Sequence, residues 1–433
     1  MRILLIAYEW PPITAAQSLR WFYLANGLAE LGVEVHVLCP SIKPEMPFRG
    51  VLHHSIVEHR VWPGPFVGVL QAVMHRRPVA KKTKELPESE ALEKKHQLVS
   101  GLARRGYVHV RRLLDQLVFP DVRTEWYPFA RKALLRLLTQ YQFDVVVSSH
   151  EPGVDLMLGL LAQQKSRLPW VIDLADPLLA PYTPKWRRCL DAWFEGVVLR
   201  KSTSVVLTTP HLVDVLVKRH KALIADKFSI VPQGGPILNS KNVLKKQNVD
   251  ELHFVFTGNF YQSFRNPNQL ACALKKIKSR RMRLTIAGNN AAFVSLFEGV
   301  DGVKFLGAID HFEALKLQQQ ADILLNIGNG QSDQLPGKVF EYLVSGKPIF
   351  HIRGSSQDPT EAYLKDHSCA FVADNNDVSI CRTLERILAM HACGALQTSA
   401  ESSQMLLEKH GWPARASVLN QVLADAVSCS RFV

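Results

Sequence analysis

The sequence lacks several features that would have settled its class at once. No apolar run approaches the roughly 20 residues a bilayer-spanning helix needs; the longest late one, Leu156 to Ala162, is far too short. The opening run, Ile3 to Ala7, is also short and no small-residue cleavage site follows it, so it reads as a strand and not as a signal peptide. Cysteine is sparse: the seven residues Cys39, Cys189, Cys272, Cys369, Cys381, Cys393 and Cys429 are scattered, odd in number and without a C-x-x-C pair. That argues against a disulfide framework and a structural zinc site, and fits a reducing cytosol. No G-x-G-x-x-G follows a strand, which argues against a dinucleotide-dependent oxidoreductase. No low-complexity tract suggests disorder, and no aromatic-basic motif supports nucleic-acid binding.

What is present is ample core material and an uneven charge. The 433 residues are 47% hydrophobic, enough for two or three domains. Net charge is +13, and residues 1–235 carry 31 basic against 21 acidic side chains while 236–433 carry 21 against 18. Residues 51–150 hold most of the excess, 16 against 9. Such a surface suits an anionic lipid or phosphorylated partner, or is simply a solvated basic face.

The order of elements predicts two parallel sheets. Ile3–Ile6 reads as a strand buried on both faces. A helical pattern from Gln17 to Leu31 follows, ending at Gly32, and Val33 to Cys39 is a second strand: a right-handed β-α-β unit. The stretch 41–135 is less regular and holds two basic amphipathic pieces, Lys81–Leu98 and Gly101–Leu117. These suit a membrane interface or a solvated helix face. Alternation resumes with strands at Asp144–Ser148, Trp170–Asp173, Ser204–Thr208 and Phe228–Pro232, and helices at Val154–Gln164 and Trp186–Lys201. Gln233 to Gln247 reads as a linker. Further strands are expected at His253–Thr257, Arg283–Ala287, Val303–Gly307, Ile323–Ile327, Pro348–Ile352 and Ala370–Ala373. The fold class is therefore α/β, with two Rossmann-like doubly wound parallel-sheet domains facing across a cleft. The expected divisions are 1–235, 236–410 and a C-terminal helix over 411–433 that packs back on the first domain. Ligands are expected at the carboxyl ends of the strands.

One segment carries the chemistry: Asp333-Gln-Leu335-Pro336-Gly337-Lys338-Val-Phe-Glu341-Tyr-Leu-Val-Ser-Gly346-Lys-Pro348. Pro336 suits a helix start and Gly346 its end. A helix N-terminus and Lys338 in its first turn can hold an anion. Glu341, three residues on, projects beside Lys338 and can accept two hydrogen bonds from a pair of hydroxyls, as on a ribose. Asp333 can do the same for a sugar.

This segment resembles the E-x7-E region of the retaining glycosyltransferase family 4, in its Leu-Pro-Gly-Lys-Val-Phe-Glu-Tyr-Leu form. Phe256-Thr257-Gly258-Asn259-Phe260-Tyr261 is similar to the strand and turn that open the donor domain in that family, where a basic pair usually holds diphosphate; here Asn259 stands at one position and Arg265 near the other. Val231-Pro-Gln-Gly234 resembles the interdomain Val-Pro-Asn-Gly turn, and Ala15-Ala16 stands where relatives often have Gly-Gly. The resemblance implies a GT-B fold and a metal-independent, hexosyl-type transfer from a nucleoside-diphosphate sugar to a hydroxyl. It implies that Asp333 contacts donor-sugar hydroxyls and Glu341 the ribose. Gly258, Arg265, Leu335, Gly337 and Lys338 complete the donor site, with Lys338 and Arg265 on the diphosphate. It places His150 on the reacting side of the sugar, and Asp176 and Arg20 on the acceptor side, Arg20 as a contact for an acceptor phosphate.

The costly event in such a transfer is charge on the departing diphosphate, which Lys338 and Arg265 would stabilise. No D-x-D occurs, so no metal and no other cofactor is expected. No paired carboxylates suggest a glycosidase-type double displacement. The expected partners are a nucleoside-diphosphate sugar, a lipid-linked or saccharide acceptor and an anionic membrane surface, without nucleic acid. The expected place is the cytoplasm, peripheral at the inner face of the membrane, in surface polysaccharide or glycolipid assembly. Two rival readings stand beside this one: a sugar-nucleotide epimerase, and a catalytically silent sugar-nucleotide-binding partner subunit.

Overall fold

The computed structural model describes residues 1–43, 48–68, 117–179, 183–221, 225–237, 251–277, 281–330 and 336–430. The chain divides into two compact units. Unit 1 comprises Met1–Glu45, Leu52–Val231 and Leu419–Val433; unit 2 comprises Met46–Val51 and Pro232–Val418.

Unit 1 runs β1 (Arg2–Ile6), α1 (Ala16–Glu30), β2 (Glu34–Pro40), β3 (Val57–Val61), α2 (Tyr127–Gln140), β4 (Val145–His150), α3 (Gly153–Ser166), β5 (Trp170–Leu174), α4 (Arg188–Lys201), β6 (Ser204–Leu207), α5 (Pro210–Arg219) and β7 (Phe228–Ile230). The seven strands form a parallel sheet in the order β3-β2-β1-β4-β5-β6-β7. Ile3 to Ile6 have no exposed surface, as a central strand covered on both faces requires. One core layer joins Leu4, Ile6, Val146, Ile172 and Val205 of the sheet to helix residues such as Leu134, Leu158 and Val198.

Unit 2 runs β8 (Leu252–Thr257), α6 (Asn268–Ile277), β9 (Met282–Ala287), β10 (Val303–Gly307), α7 (His311–Gln320), β11 (Ile323–Ile327), α8 (Lys338–Val344), β12 (Ile349–Ile352), α9 (Thr360–Leu364), β13 (Ala370–Ala373), α10 (Asp377–Ala392) and α11 (Ala400–His410). Its six strands are again parallel, ordered β10-β9-β8-β11-β12-β13. The last helix, α12 (Trp412–Ser430), crosses the division, which falls at Leu419.

Most expected elements lie within a residue or two of their anticipated ends. Both expected helix stops are glycines in the left-handed region, Gly32 at φ +80° and Gly346 at φ +68°. Two features differ. The irregular stretch contains an edge strand, β3, and the start of a helix, α2. The segment Met46–Val51 groups with unit 2, because Arg49 Nη1 reaches Glu313 at 2.6 Å and Phe48 packs edge-on against Phe312. The two basic amphipathic pieces lie outside the described residues, apart from Leu117.

Each sheet has one switch point, where the strand order reverses. In unit 1 it lies between β1 and β4, and in unit 2 between β8 and β11. Open parallel sheets bind ligands beyond the carboxyl ends of the strands at such points.

Candidate functional site

In unit 2 the switch point is built by β8, the loop after β11, and the two helices α7 and α8. Thr257, the last residue of β8, donates its backbone N–H to Tyr342 Oη at 3.0 Å. Gln318, in the last turn of α7, donates from Nε2 to Thr257 Oγ1 at 2.8 Å and to Glu341 Oε2 at 2.9 Å. Lys338 Nζ lies 2.9 Å from both oxygens of Glu341. One strand end and two helices thus converge on a single carboxylate. Burial opposes charge on Glu341, but Lys338, His311 and the Gln318 hydrogen bond together hold it below the usual carboxylate range. Burial pushes Tyr342 up to about 12, so it serves as a neutral hydroxyl. Lys338 is 32% exposed in its side chain and has three donors, two of them met by Glu341.

Arg265 approaches from the other side of the β8 end. A tight turn carries it: Tyr261 and Arg265 exchange backbone hydrogen bonds at 3.0 and 3.1 Å, and Gly330 N–H donates to Phe264 O at 2.6 Å, tying the turn to the loop after β11. Arg265 Nη2 donates to Asn329 Oδ1 at 2.7 Å. Its buried Nε has no acceptor among the described residues. Burial lowers its pKa, but an arginine stays charged. Gly258, at φ +153°, lies between β8 and this turn. Asn259 holds the neighbouring turn by accepting from Asn289 N–H at 2.8 Å. The turn after the neighbouring strand β12 is held by Asp358, a buried carboxylate that accepts from Gly354 N–H at 2.8 Å and lies 3.2 Å from His351 Nε2.

Gly337 is the N-cap of α8, and that helix has only seven residues. The positive charge of the site therefore rests on Lys338 more than on a helix dipole. Gly235 packs directly on α8: a Cβ there would clash with Phe340 O and Val344 Cγ2. This explains why the Val231–Gly234 motif is followed by another glycine. Asp333 and Leu335 lie outside the described residues.

In unit 1, His150 ends β4 at the switch point and is 5% exposed. It is hydrogen-bonded to the backbone of Asp176, which follows β5, and burial holds its imidazole below the ordinary range against the pull of Asp121, Asp176 and Glu195. His150 Nδ1 has no hydrogen-bond partner among the described residues. Asp155, in the first turn of α3, accepts from Tyr8 N–H at 2.8 Å, and burial raises it well above the usual carboxylate range.

Arg20 is the correction. A side chain open to an acceptor phosphate was expected, but Arg20 has no exposed surface. Its Nε and Nη2 donate to the two oxygens of Asp173 at 2.9 Å each, and Nη2 also to Val231 O at 2.9 Å. Gln17 completes the cluster with a 3.0 Å bond to the same carboxylate. A bidentate, enclosed pair of this kind locks α1 to the end of β5 and to the end of the β7 segment. Arg20 is a positioning residue of unit 1.

The structure thus brings Lys338, Glu341, Gly337, Gly258 and Arg265 to one sheet edge of unit 2, and His150 and Asp176 to one sheet edge of unit 1. Gln318, His311, Tyr342 and Asn329 belong to the unit 2 cluster and were not anticipated. Gln318 and His311 carry no local motif. Tyr342 stands inside the motif, where no role was assigned to it.

Comparison with known proteins bears on the family and the fold. The family described as "Glycosyl transferase 4-like domain" matches residues 17–234, and "Glycosyl transferases group 1" matches residues 251–389. The chain belongs to the glycosyltransferases. Among solved structures, this glycosyltransferase is similar to sucrose-phosphate synthase from Thermosynechococcus elongatus, with TM-score 0.65 and 14% identity over 99% of this chain and 100% of that one. It is similar to Anabaena HepE in complex with UDP and glucose, with TM-score 0.60 and 12% identity over 98% and 100%. It is also similar to WaaG, a glycosyltransferase involved in lipopolysaccharide biosynthesis, with TM-score 0.53 and 14% identity over 96% and 94%. At these identities the likeness is one of fold, the GT-B fold. No curated protein sequence matches the chain significantly.

Proposed function

We propose that this glycosyltransferase moves a hexosyl group from a nucleoside-diphosphate sugar to a hydroxyl, with retention of configuration and without a metal. The observation that carries the reading is the Lys338–Glu341 pair at the switch point of unit 2. Glu341 is held charged and oriented by Lys338 and Gln318, and a Lys338 ammonium turning to the diphosphate would free lone pairs for two ribose hydroxyls. Lys338 and Arg265 are the cations for the diphosphate, and Arg265 Nε is a buried donor suited to a phosphate oxygen. That HepE was solved with UDP and glucose favours a nucleotide-sugar donor. Leu335 and Gly337 would line the donor, and Asp333 would take the sugar hydroxyls. His150 would attend the reacting sugar and Asp176 the acceptor.

The leaving diphosphate gains charge as the glycosidic bond breaks. Two fixed cations in a partly buried setting stabilise that charge more than water does. The acceptor class this reading favours is lipid-linked or saccharide, in surface polysaccharide or glycolipid assembly at the cytoplasmic face of a membrane. A panel of nucleotide sugars, assayed for diphosphate release with and without acceptor, tests it. Lys338→Ala and Glu341→Ala should each lower acceptor-dependent turnover at least tenfold, on the order of a lost transition-state charge contact. Normal turnover in both would sink the assignment, and conversion of the nucleotide sugar without acceptor would favour the epimerase reading.

A further inference from the structure

Arg265 is held through a layer of backbone that ends on a buried carboxylate. Its Nη2 donates to Asn329 Oδ1, and Asn329 belongs to the segment Gly328-Asn329-Gly330 that follows β11. Gly330 N–H donates to Phe264 O at 2.6 Å, so the turn that carries Arg265 is tied to the same segment twice. The segment itself lies directly on the turn between β12 and α9. Gly328 N–H donates to Ile352 O at 2.9 Å, at the end of β12. A Cβ on Gly328 would clash with the carboxylate of Asp358 and with Gly354 N. A Cβ on Gly354 would clash with the backbone of Asn329 and of Gly328. Glycine is required at both positions because the two stretches of backbone touch.

Asp358 sets the shape of that turn. Its Oδ2 accepts from Gly354 N–H at 2.8 Å and its Oδ1 from Thr360 N–H at 2.9 Å, so one side chain closes the turn at both ends. The residue is 6% exposed, and both bonds are charge-assisted and shielded from water. Burial opposes charge on Asp358, yet His351 and the Gly354 N–H hold it below the usual carboxylate range. Behind it, Asn326 of β11 and His351 of β12 lie 2.8 Å apart through Nδ2 and Nδ1, so the support continues into the sheet. Arg265 has use for such support. A long side chain stabilises developing charge well only when it is fixed beforehand. With Nη2 held by Asn329, the buried Nε has no acceptor among the described residues and is a donor for a ligand.

We infer that Asp358 is a positioning residue of the donor site: it fixes the turn on which Gly328-Asn329-Gly330 rests, and through Asn329 it aims Arg265 at the diphosphate. The aim at a diphosphate rests on the donor reading; the hold on Arg265 does not. Asp358→Asn keeps the size of the side chain but replaces one acceptor oxygen by an amide donor. Arg353 still pairs with Glu361 across the same turn at 2.9 Å, so the chain should fold, and melting curves check that it does. Gly328→Ala pushes the segment off Asp358 from the other side and serves as a second variant. The first measurement needs no ligand. Phenylglyoxal, an arginine-selective dicarbonyl, is reacted with the full chain and its rate at Arg265 is read by peptide mass spectrometry. Asp358→Asn and Gly328→Ala should each raise that rate severalfold, while the exposed Arg382 reacts as in the parent. The second measurement is calorimetric titration with UDP, GDP, ADP and CDP. Whichever binds the parent most tightly should bind Asp358→Asn about tenfold more weakly, the level of a lost charge-assisted contact. In an Arg265→Ala background the same change should weaken binding little further, because the two residues act as one unit. Parent-like modification of Arg265 in both variants overturns the inference. So does a loss of affinity that persists in full in the Arg265→Ala background. If the parent binds no nucleoside diphosphate, the donor reading falls, and the modification rates alone decide whether Asp358 holds Arg265.

Discussion

Unit 1 and unit 2 share an architecture but treat buried charge in opposite ways. Around its switch point unit 1 encloses an ion pair, Arg20–Asp173, and carboxyl groups that burial pushes upward, Asp155 and Asp121. Unit 2 encloses histidines that burial pushes downward, His311, His367 and His410, each to about 4. Its carboxylates Glu341 and Asp358 are held below their usual range despite burial, by Lys338 and by His351 respectively. The difference teaches where charge is put to use. Unit 1 spends its buried charges on internal architecture. Unit 2 keeps a charged pair, Lys338 and Glu341, at a sheet edge where a ligand can reach it.

Breaking the unit 1 pair should have the largest effect. Arg20→Met leaves Asp173 enclosed without its cation and should destabilise unit 1 by roughly 3–5 kcal/mol. Replacing both residues, as R20M/D173L, should recover much of that loss, because no charge is then stranded. Seven of the eight tryptophans, all but Trp412, lie in unit 1, so denaturation followed by tryptophan emission reads this unit. A loss below about 1 kcal/mol, the level of a surface ion pair, would contradict the buried-pair account.

Within unit 2 the stitching of Tyr342 to Thr257 can be cut alone. Tyr342→Phe removes the acceptor of a buried backbone N–H and should cost about 1–2 kcal/mol. Far-UV circular dichroism during chemical denaturation checks it.

Acidification should separate the units by a smaller margin. A histidine with a depressed folded pKa binds fewer protons folded than unfolded, so stability rises with pH across the window between the two values. His311, His367 and His410 place that window between about 4 and the ordinary histidine value of 6.5. Unit 2 should therefore weaken as pH falls from 6.5 toward 4. Asp155 and Asp121 act with the opposite sign: their raised values favour the folded state at low pH, and that contribution is lost as pH rises through the folded value. They offset the acid loss that His150 and His59 bring to unit 1. Hydrogen exchange at pH 7 and pH 5 should show protection falling first in β8, β11 and β12. Earlier loss in β1, β4 and β5 would reverse the comparison.

The central strands were legible because they are buried on both faces and so read as unbroken apolar runs: Ile3–Ile6, Val145–Val147 and Ile323–Leu325 are examples. Strand β3, Val57-Glu-His-Arg-Val61, was not, because an edge strand with partly exposed residues shows no such run. Part of the site was legible for a local reason. Lys338 and Glu341 sit three residues apart on one helix, and that spacing alone predicts their contact. Gln318 and His311 reach the same carboxylate from another helix, which no local pattern announces. Arg20 was misread because its partner is 153 residues away, and an arginine at a helix start looks like a surface charge until that partner is placed.

The central claim is that Lys338 and Glu341 hold a nucleoside diphosphate at the switch point of unit 2. Calorimetric titration of the chain with UDP and with the other nucleoside diphosphates tests it directly. At least one should bind saturably, and Lys338→Ala and Glu341→Ala should each weaken that binding about tenfold or more, the level of a lost charge-assisted contact. Binding by both variants at the parent affinity, or no binding of any nucleoside diphosphate by the parent, would contradict the account.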